Sequence, residues 1–252
     1  MTSPVVPGCE PFSADGGAEG VLVLHGLTGS PYSMRPIAEA LANRGYAVEL
    51  PLMPGHGTKV DDLFSVRWDH WCAAAAAAYE GLASRTSAVA VVGLSFGGGT
   101  GAWLAEQRPE LVALVAINPA IVPIADELRA LVPDMLAAGE TTIPGVVNDI
   151  AMPGQDERGY DAVPIEMAES FMVGLEGVAA DLGRITCPVL VLTSPQDHVV
   201  DTVSSTALVE RVAGPVEQVL LDRSFHVATL DYDAPLIESE TLRFLDAAFS
   251  AR

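Results

Sequence analysis

A serine framed by glycines is the residue of this 252-residue chain best suited to chemistry. The segment GLSFG at 93–97 fits the pattern G-x-S-x-G and follows an apolar run, Ala88 to Val92, that predicts a buried strand. A tight turn from strand to helix leaves no room for a Cβ two residues before or after the serine, which explains the glycines. The turn would expose the Ser95 hydroxyl at a helix N-terminus, where free N–H groups stabilise a developing anion. The pattern alone also fits an incidental serine in a glycine-rich turn.

The partners of such a serine are a histidine that takes its proton and a carboxylate that orients the histidine. His226 follows the last predicted strand, Val216 to Leu221, and Asp197 follows the strand before it, Pro188 to Thr193. Parallel strands end at the same edge of a sheet, so both side chains would lie where Ser95 also emerges. The sequence therefore predicts a Ser95–His226–Asp197 triad.

The sequence also offers another acid and another base, and it can be searched for a metal site. Asp201 is the alternative acid, although it suits the start of the next helix. His198 is the alternative base, but as the neighbour of Asp197 it is poorly placed to be oriented by that carboxylate. The other histidines are expected to be structural: His25, His56 and His70. The chain has neither H-E-x-x-H nor a cysteine–histidine pairing, so we expect no metal.

Two backbone N–H groups would form the oxyanion hole that this chemistry needs. Phe96 follows the serine, and Leu27 lies in the turn after the first core strand. Apolar residues near these positions would form an acyl pocket, although most methionines and phenylalanines in such segments simply pack the core. The candidate substrate-binding residues are Gly26, Ile121, Met135, Met167, Phe171 and Val199.

The surrounding elements alternate between apolar strands and helices, which predicts an α/β fold with a parallel sheet. We assign residues 1–118 and 184–252 to this core and expect Ser33 to cap the first helix. Residues 119–183 contain six prolines, short amphipathic pieces and no clear strand. This segment is predicted to be a small helical lid inserted into a single domain.

Composition narrows the remaining functions. Thirteen Lys and Arg against 33 Asp and Glu give a net charge of −20, which disfavours binding to nucleic acid and to anionic membranes. The three cysteines are widely spaced and predict neither disulfides nor a zinc site. No nucleotide-binding motif is present, so we expect no cofactor. No apolar run has the length of a bilayer span, and the N-terminus lacks a signal peptide, so we expect a cytoplasmic monomer or homodimer.

Five segments together resemble the bacterial carboxylesterase/monoacylglycerol lipase group of the α/β-hydrolase fold. They are HGLTGSP at 25–31, GHG at 55–57, GLSFGG at 93–98, QD at 196–197 and HVATLD at 226–231. The resemblance runs from Gly20 to the last helix and is weakest in the lid. Two departures are visible: at most one strand fits before Gly20, and Phe225 replaces a common glycine, which would narrow the site.

The resemblance implies a mostly parallel sheet flanked by helices on both faces, with the lid inserted after the sixth core strand. It also implies that Ser95, Asp197 and His226 form the triad and that Leu27 and Phe96 form the oxyanion hole. The expected partner is a small acyl ester, either a short- to medium-chain ester or a monoacylglycerol. Lactone or thioester hydrolysis and acyl transfer remain alternatives, as does a slow-turnover ligand receptor on the same scaffold.

Overall fold

A seven-stranded sheet forms the centre of the computed structural model, which describes residues 3–123 and 130–252. The spatial order of the strands is β1-β3-β2-β4-β5-β8-β9, and only β1 is antiparallel to its neighbour. The predicted α/β class and the mostly parallel sheet are confirmed. The strands are β1 (Phe12–Ala14), β2 (Glu19–Leu24), β3 (Ala47–Leu50), β4 (Ala88–Leu94), β5 (Leu114–Ile117), β8 (Val189–Thr193) and β9 (Val216–Leu220).

Helices cover both faces of this sheet because its central strands are apolar on both faces. Neighbouring residues of β2 illustrate the alternation: Val23 packs into one core and Leu24 into the other. Helices α1 and α7 close the first core, and α2, α3, α5 and α6 close the second. These helices are α1 (Pro31–Arg44), α2 (Trp68–Ala83), α3 (Phe96–Gln107), α5 (Ile165–Asp181), α6 (Val203–Arg211) and α7 (Ala234–Ser250).

The first helix begins earlier than predicted. Ser30, not Ser33, is the N-cap: its backbone is extended, and its Oγ accepts a hydrogen bond from the N–H of Tyr32 at 3.3 Å. Pro31 then occupies the first helical position, which its fixed φ angle suits. Ser33 lies inside the helix. Gly45 closes the helix in the left-handed conformation, which glycine adopts without strain.

The segment 119–183 is not purely helical. It contains α4 (Val132–Ala137) and all of α5, but also a two-stranded antiparallel sheet of β6 (Thr142–Pro144) and β7 (Ala162–Pro164). Three residues ending in proline are too few to show the alternation by which a strand is recognised. Residues 124–129 of the predicted lid, and residues 1 and 2 of the predicted core, lie outside the described residues.

The segment follows the fifth strand of the chain, β5, and not the sixth as expected. The reason is that only one short strand, β1, precedes β2, so this sheet has seven strands and not eight. The segment 119–183 still begins close to Ser95, because it follows β5, and β5 pairs with β4, the strand that leads to Ser95.

No helix within the described ranges has both the length and the apolar composition that crossing a membrane requires. The three cysteines, Cys9, Cys72 and Cys187, are buried free thiols. Burial raises the pKa of Cys72 to about 12 and that of Cys187 to about 11, so both are inert at neutral pH.

Candidate active site

Ser95 occupies a strained turn between β4 and α3. Its φ of 55° and ψ of −115° lie outside the regions that a residue with a side chain normally adopts. The turn is held by its own backbone, because the N–H of Ser95 donates to Ile117 O at 2.9 Å and its carbonyl accepts from Gly99 and Ala120 at 3.0 Å. The residue is only 7% exposed, so the hydroxyl lies within the molecule.

The glycines around Ser95 are required by close backbone contacts. A Cβ at Gly93 would collide with the backbone of Gly97, and a Cβ at Gly97 would collide with the carbonyl of Leu24. Strand and helix therefore approach more closely than side chains would allow, as the sequence pattern predicted. The consequence is that helix α3 begins at Phe96, directly after the serine.

Asp197 and His226 form a buried pair. His226 Nδ1 donates to Asp197 Oδ2 at 2.7 Å, and the two side chains are 8% and 3% exposed, respectively. The other carboxylate oxygen accepts the backbone N–H groups of Val199 and Val200, both at 2.8 Å. With Nδ1 engaged as a donor, Nε2 is the ring nitrogen that can take a proton.

The two alternative residues have other partners. His198 Nδ1 pairs with Asp149 Oδ1 at 2.8 Å, and the His198 side chain is 58% exposed. Asp201 accepts the N–H of Val203 at the start of α6, as expected of a residue before a helix. Neither side chain is hydrogen-bonded to His226, so the structure pairs His226 with Asp197, the acid that the sequence favoured.

A cavity of about 600 Å³ lies above Ser95 and His226. Of the predicted substrate-binding residues, Gly26, Phe171 and Val199 line it, and so does Leu27. One part of the wall is apolar. It consists of Val122, Pro123, Val163, Phe171, Met172, Leu175, Val199, Val200 and Val203.

Ile121, Met135 and Met167, which the sequence also suggested, do not line this cavity. The side chains of Ile121 and Met167 are completely buried in the core between the sheet and α5. Met135 lies on α4, a helix without buried residues. Ile121 and Met167 therefore pack the core, which is the commoner use of such side chains.

The turn 25–27 lies beside the serine. A Cβ on Gly26 would be 3.8 Å from Ser95 Cβ, so the N–H of Leu27 belongs to a turn next to the hydroxyl. The N–H of Phe96 is in the first turn of α3, where no intrahelical acceptor exists. The Phe96 side chain points away from the cavity and packs on Trp71, with ring centroids 4.8 Å apart.

His25 and His56 are structural, as expected. His25 Nε2 accepts the N–H of Met53 at 3.1 Å, and Nδ1 donates to Gly26 O at 2.9 Å, which fixes the turn beside Ser95. Complete burial lowers the pKa of His25 to about 3 and that of His56 to about 4. Both imidazoles are therefore neutral at physiological pH.

A carboxyl group that the sequence did not reveal lies in the same cavity. Glu157 is 7% exposed, and its Oε1 accepts the N–H of Asn148 at 2.7 Å. Asn148 Oδ1 accepts the N–H of Glu157 at 2.8 Å, so the two residues bind each other reciprocally. Burial raises the pKa of Glu157, and the bond from Asn148 opposes this shift. No motif surrounds Glu157, so the sequence carries no signal for it.

Asp149 was also missed. Its Oδ2 accepts the N–H groups of His226 at 3.0 Å and His198 at 3.2 Å, so the segment 119–183 is attached to the loop that carries His226. Phe225, expected to narrow the site, packs on the His198 ring with centroids 4.5 Å apart and does not line the cavity. Among residues 3–123 and 130–252, no group of three or more His, Cys, Asp or Glu side chains could hold a metal ion.

The sequence model of one protein family, described as serine aminopeptidase, S33 (Hydrolase_4), matches residues 18–233. The chain belongs to the serine aminopeptidase S33 family. This S33 family member is 36% identical over 244 residues to the thermostable monoacylglycerol lipase of Bacillus sp. (strain H-257), with 96% of both chains covered. It is 25% identical over 250 residues to the carboxylesterase of Bacillus subtilis (strain 168), covering 94% of this chain and 96% of the other.

The S33 family member is also similar to a solved structure, with a TM-score of 0.92. That structure comes from work on LipS and LipT, two metagenome-derived lipolytic enzymes. The two are 35% identical, and the match covers 97% of this chain and 100% of the other. The S33 family member is thus a hydrolase of the α/β-hydrolase esterase and monoacylglycerol lipase group, as its motifs predicted.

Proposed function

We propose that this chain hydrolyses carboxylic esters, monoacylglycerols above all, with Ser95 as nucleophile, His226 as general base and Asp197 as its orienting acid. The observation that carries the proposal is the buried Asp197–His226 pair, at 2.7 Å, whose histidine lines the same cavity as a serine on a strained turn. A histidine that donates Nδ1–H to a carboxylate is held in the tautomer that a general base needs.

The reaction has two halves. Ser95 Oγ attacks the ester carbonyl while His226 Nε2 takes its proton, and the N–H groups of Leu27 and Phe96 stabilise the oxyanion. The intermediate collapses, the C–O bond to the alcohol breaks, and His226 returns the proton to the leaving oxygen. Water then attacks the acyl-enzyme by the same route and releases the carboxylic acid and the free serine.

The apolar wall of the cavity supports an acyl chain as the first half of the substrate. Burying a CH₂ group from water contributes about 0.8 kcal/mol, so each methylene that enters favours binding. The wall comes partly from the segment 119–183, for example from Val163, Phe171 and Leu175. We propose that this segment is a lid over the acyl site.

Glu157 supports a hydroxylated alcohol as the other half. One carboxyl oxygen is occupied by Asn148, which leaves Oε2 for a ligand in the cavity. A buried hydrogen-bonding group favours a partner that pairs with it over one that leaves it unpaired. The glycerol moiety of a monoacylglycerol keeps free hydroxyl groups, whereas the methoxy or ethoxy group of a methyl or ethyl ester has none.

The test compares a monoacylglycerol with the methyl ester of the same fatty acid, using wild type and Glu157→Gln. We expect the substitution to lower kcat/KM for the glycerol ester about tenfold, with little effect on the methyl ester. Asp156→Asn, at the exposed neighbouring carboxylate, is the matched control. Equal losses on both esters would contradict the alcohol site.

A series of p-nitrophenyl esters from acetate to palmitate would locate the preferred chain length, which we expect among short and medium chains.

The cytoplasmic location and a monomeric or homodimeric state stay predictions from the sequence. Sedimentation equilibrium of the purified chain tests the second.

A further inference from the structure

Asn118 is a buried polar residue that the reaction itself does not use. It follows β5 directly, is 2% exposed and has a φ of 41°, in the left-handed region that asparagine tolerates better than most residues. Its strand lies between β4, which leads to Ser95, and β8, which leads to Asp197. The residue therefore occupies the point where the loops of the three reacting side chains meet.

The amide of Asn118 binds two of these loops at once. Its Oδ1 accepts the N–H of Ser194 at 2.7 Å, and its Nδ2 donates to Ser194 Oγ at 3.0 Å. The same Nδ2 donates to the carbonyls of His226 at 2.8 Å and Phe225 at 3.3 Å. Ser194 Oγ in turn donates to Phe225 O at 2.9 Å, so the three residues form a closed network.

The backbone continues this network to the acid and the nucleophile. Ser194 O accepts the N–H of Asp197 at 3.2 Å, which closes the turn that carries the acid. Ile117, the residue before Asn118, accepts the N–H of Ser95 at 2.9 Å. A shift at Asn118 would therefore be felt by all three reacting residues, although Asn118 does not line the cavity.

We propose that Asn118 is a positioning residue that sets the acid turn and the His226 loop at the separation that the Asp197–His226 hydrogen bond requires. The proposal rests on the proposed function of these two residues. An amide is needed because Ser194 N–H requires an acceptor while two carbonyls require a donor. A carboxylate of the same shape would place a negative charge against both carbonyls and would leave His226 O without the donor that Asn118 Nδ2 provides.

Two variants separate this role from folding. Asn118→Asp preserves the shape and the bond to Ser194 N–H but removes the donor, and Asn118→Gly removes the side chain while accepting the positive φ without strain. We expect both to lower kcat for a p-nitrophenyl ester on the order of 10²-fold, since small misplacements of reacting groups have effects of that size. The dissociation constant of a non-hydrolysable monoalkylglycerol ether should stay within about twofold of wild type, because the cavity lining is intact.

A spectroscopic signal reports the positioning directly. We expect the proton that His226 Nδ1 donates to Asp197 to give a far-downfield ¹H resonance in wild type, and this resonance to move upfield or broaden in both Asn118 variants. The control for lost stability is Thr241→Ala, which truncates a buried polar side chain in α7, far along the chain from Asn118. This variant should change neither kcat nor the resonance. Ser194→Ala removes only the shared hydroxyl and should give a smaller loss of the same kind, which keeps the test available if the Asn118 variants do not fold.

The outcomes distinguish this inference from the proposed function. Unchanged kcat and an unchanged resonance in folded Asn118 variants, while Ser95→Ala is inactive, would overturn the positioning role alone. An equally large loss in Thr241→Ala would also overturn it, because the effect would then follow stability. If Ser95→Ala hydrolyses the ester as fast as wild type, the proposed function fails instead.

Discussion

Four histidines, His25, His56, His198 and His226, differ both in their burial and in their hydrogen-bond partners. His25 and His56 are completely buried without a carboxylate, and burial lowers the pKa of both far below neutrality. His198 has a carboxylate but is largely exposed. Among these four, only His226 combines burial, a carboxylate at 2.7 Å and a place on the cavity that Ser95 also lines. This combination, more than the residue type, supports His226 as the proposed general base.

Strand ends, and not side-chain motifs alone, made Asp197 and His226 predictable from the sequence. Each follows a recognisable apolar strand of a parallel sheet, so their meeting with Ser95 follows from topology. Glu157, Asp149 and Asn118 could not be found in this way. Glu157 and Asp149 come from a segment without periodic pattern, and Asn118 owes its role to contacts from two distant loops.

Glu106 provides a prediction about stability against pH. It is 4% exposed on α3, and its Oε1 has no hydrogen-bond partner among the described residues. Burial, followed by repulsion from Asp181, raises its pKa to about 8. Between about pH 4.5 and pH 8 the folded state keeps a proton that the unfolded state releases, so the free energy of unfolding falls as the pH rises through this range.

We therefore expect Glu106→Gln to raise the free energy of unfolding above pH 8 by about 1 kcal/mol, and to leave it nearly unchanged at pH 5. Urea denaturation at both pH values measures the difference. Glu238→Gln, at an exposed position of α7, is the control, and a gain of equal size at both pH values would contradict the explanation.

At the scale of elements, the contact between β4 and α3 determines whether Ser95 is presented at all. Gly97→Ala would force a Cβ into the carbonyls of Leu24 and His25. We expect it to lower the free energy of unfolding by several kcal/mol, as overpacking against backbone does, and to abolish ester hydrolysis.

The matched control is Gly81→Ala in α2, where a Cβ would meet nothing within 4 Å. Alanine is the better helix former, so this variant should gain roughly 0.5–1 kcal/mol and keep full activity. Thermal unfolding and an ester assay of the pair measure both quantities. Equal behaviour of the two alanine variants would show that the close approach is not required.

Long, apolar elements were predictable, and short ones were not. The strand before Ser95 and the last helix follow from continuous or periodic hydrophobicity. Strands β6 and β7 were not predicted, because each has only three residues. The start of α1 was predicted wrongly, because both Ser30 and Ser33 are suitable N-cap residues. Over only three residues, the local sequence does not distinguish a strand from a loop or one N-cap from another. Tertiary contacts determine which of them forms.

At the scale of the whole molecule, the net charge of −20 affects how readily the protein approaches a lipid surface that holds its substrate. Asp149, Glu157 and Asp201 place part of this charge on the cavity wall. We expect monoacylglycerol in vesicles containing phosphatidylglycerol to be hydrolysed a few-fold more slowly than in phosphatidylcholine vesicles at low salt, because the anionic surface repels the protein. The difference should disappear at about 0.5 M NaCl, where charges are screened within a few ångströms. Faster hydrolysis on the anionic vesicles would contradict this expectation.

The central claim is that Ser95 is the nucleophile of an ester hydrolase. Its most direct measurement is steady-state hydrolysis of p-nitrophenyl butyrate by wild type and Ser95→Ala, with Ser33→Ala, a buried serine of α1, as the control. We expect wild type and Ser33→Ala to turn over alike and Ser95→Ala to lose on the order of 10⁴–10⁶ in kcat. Hydrolysis by Ser95→Ala at the wild-type rate would contradict the claim.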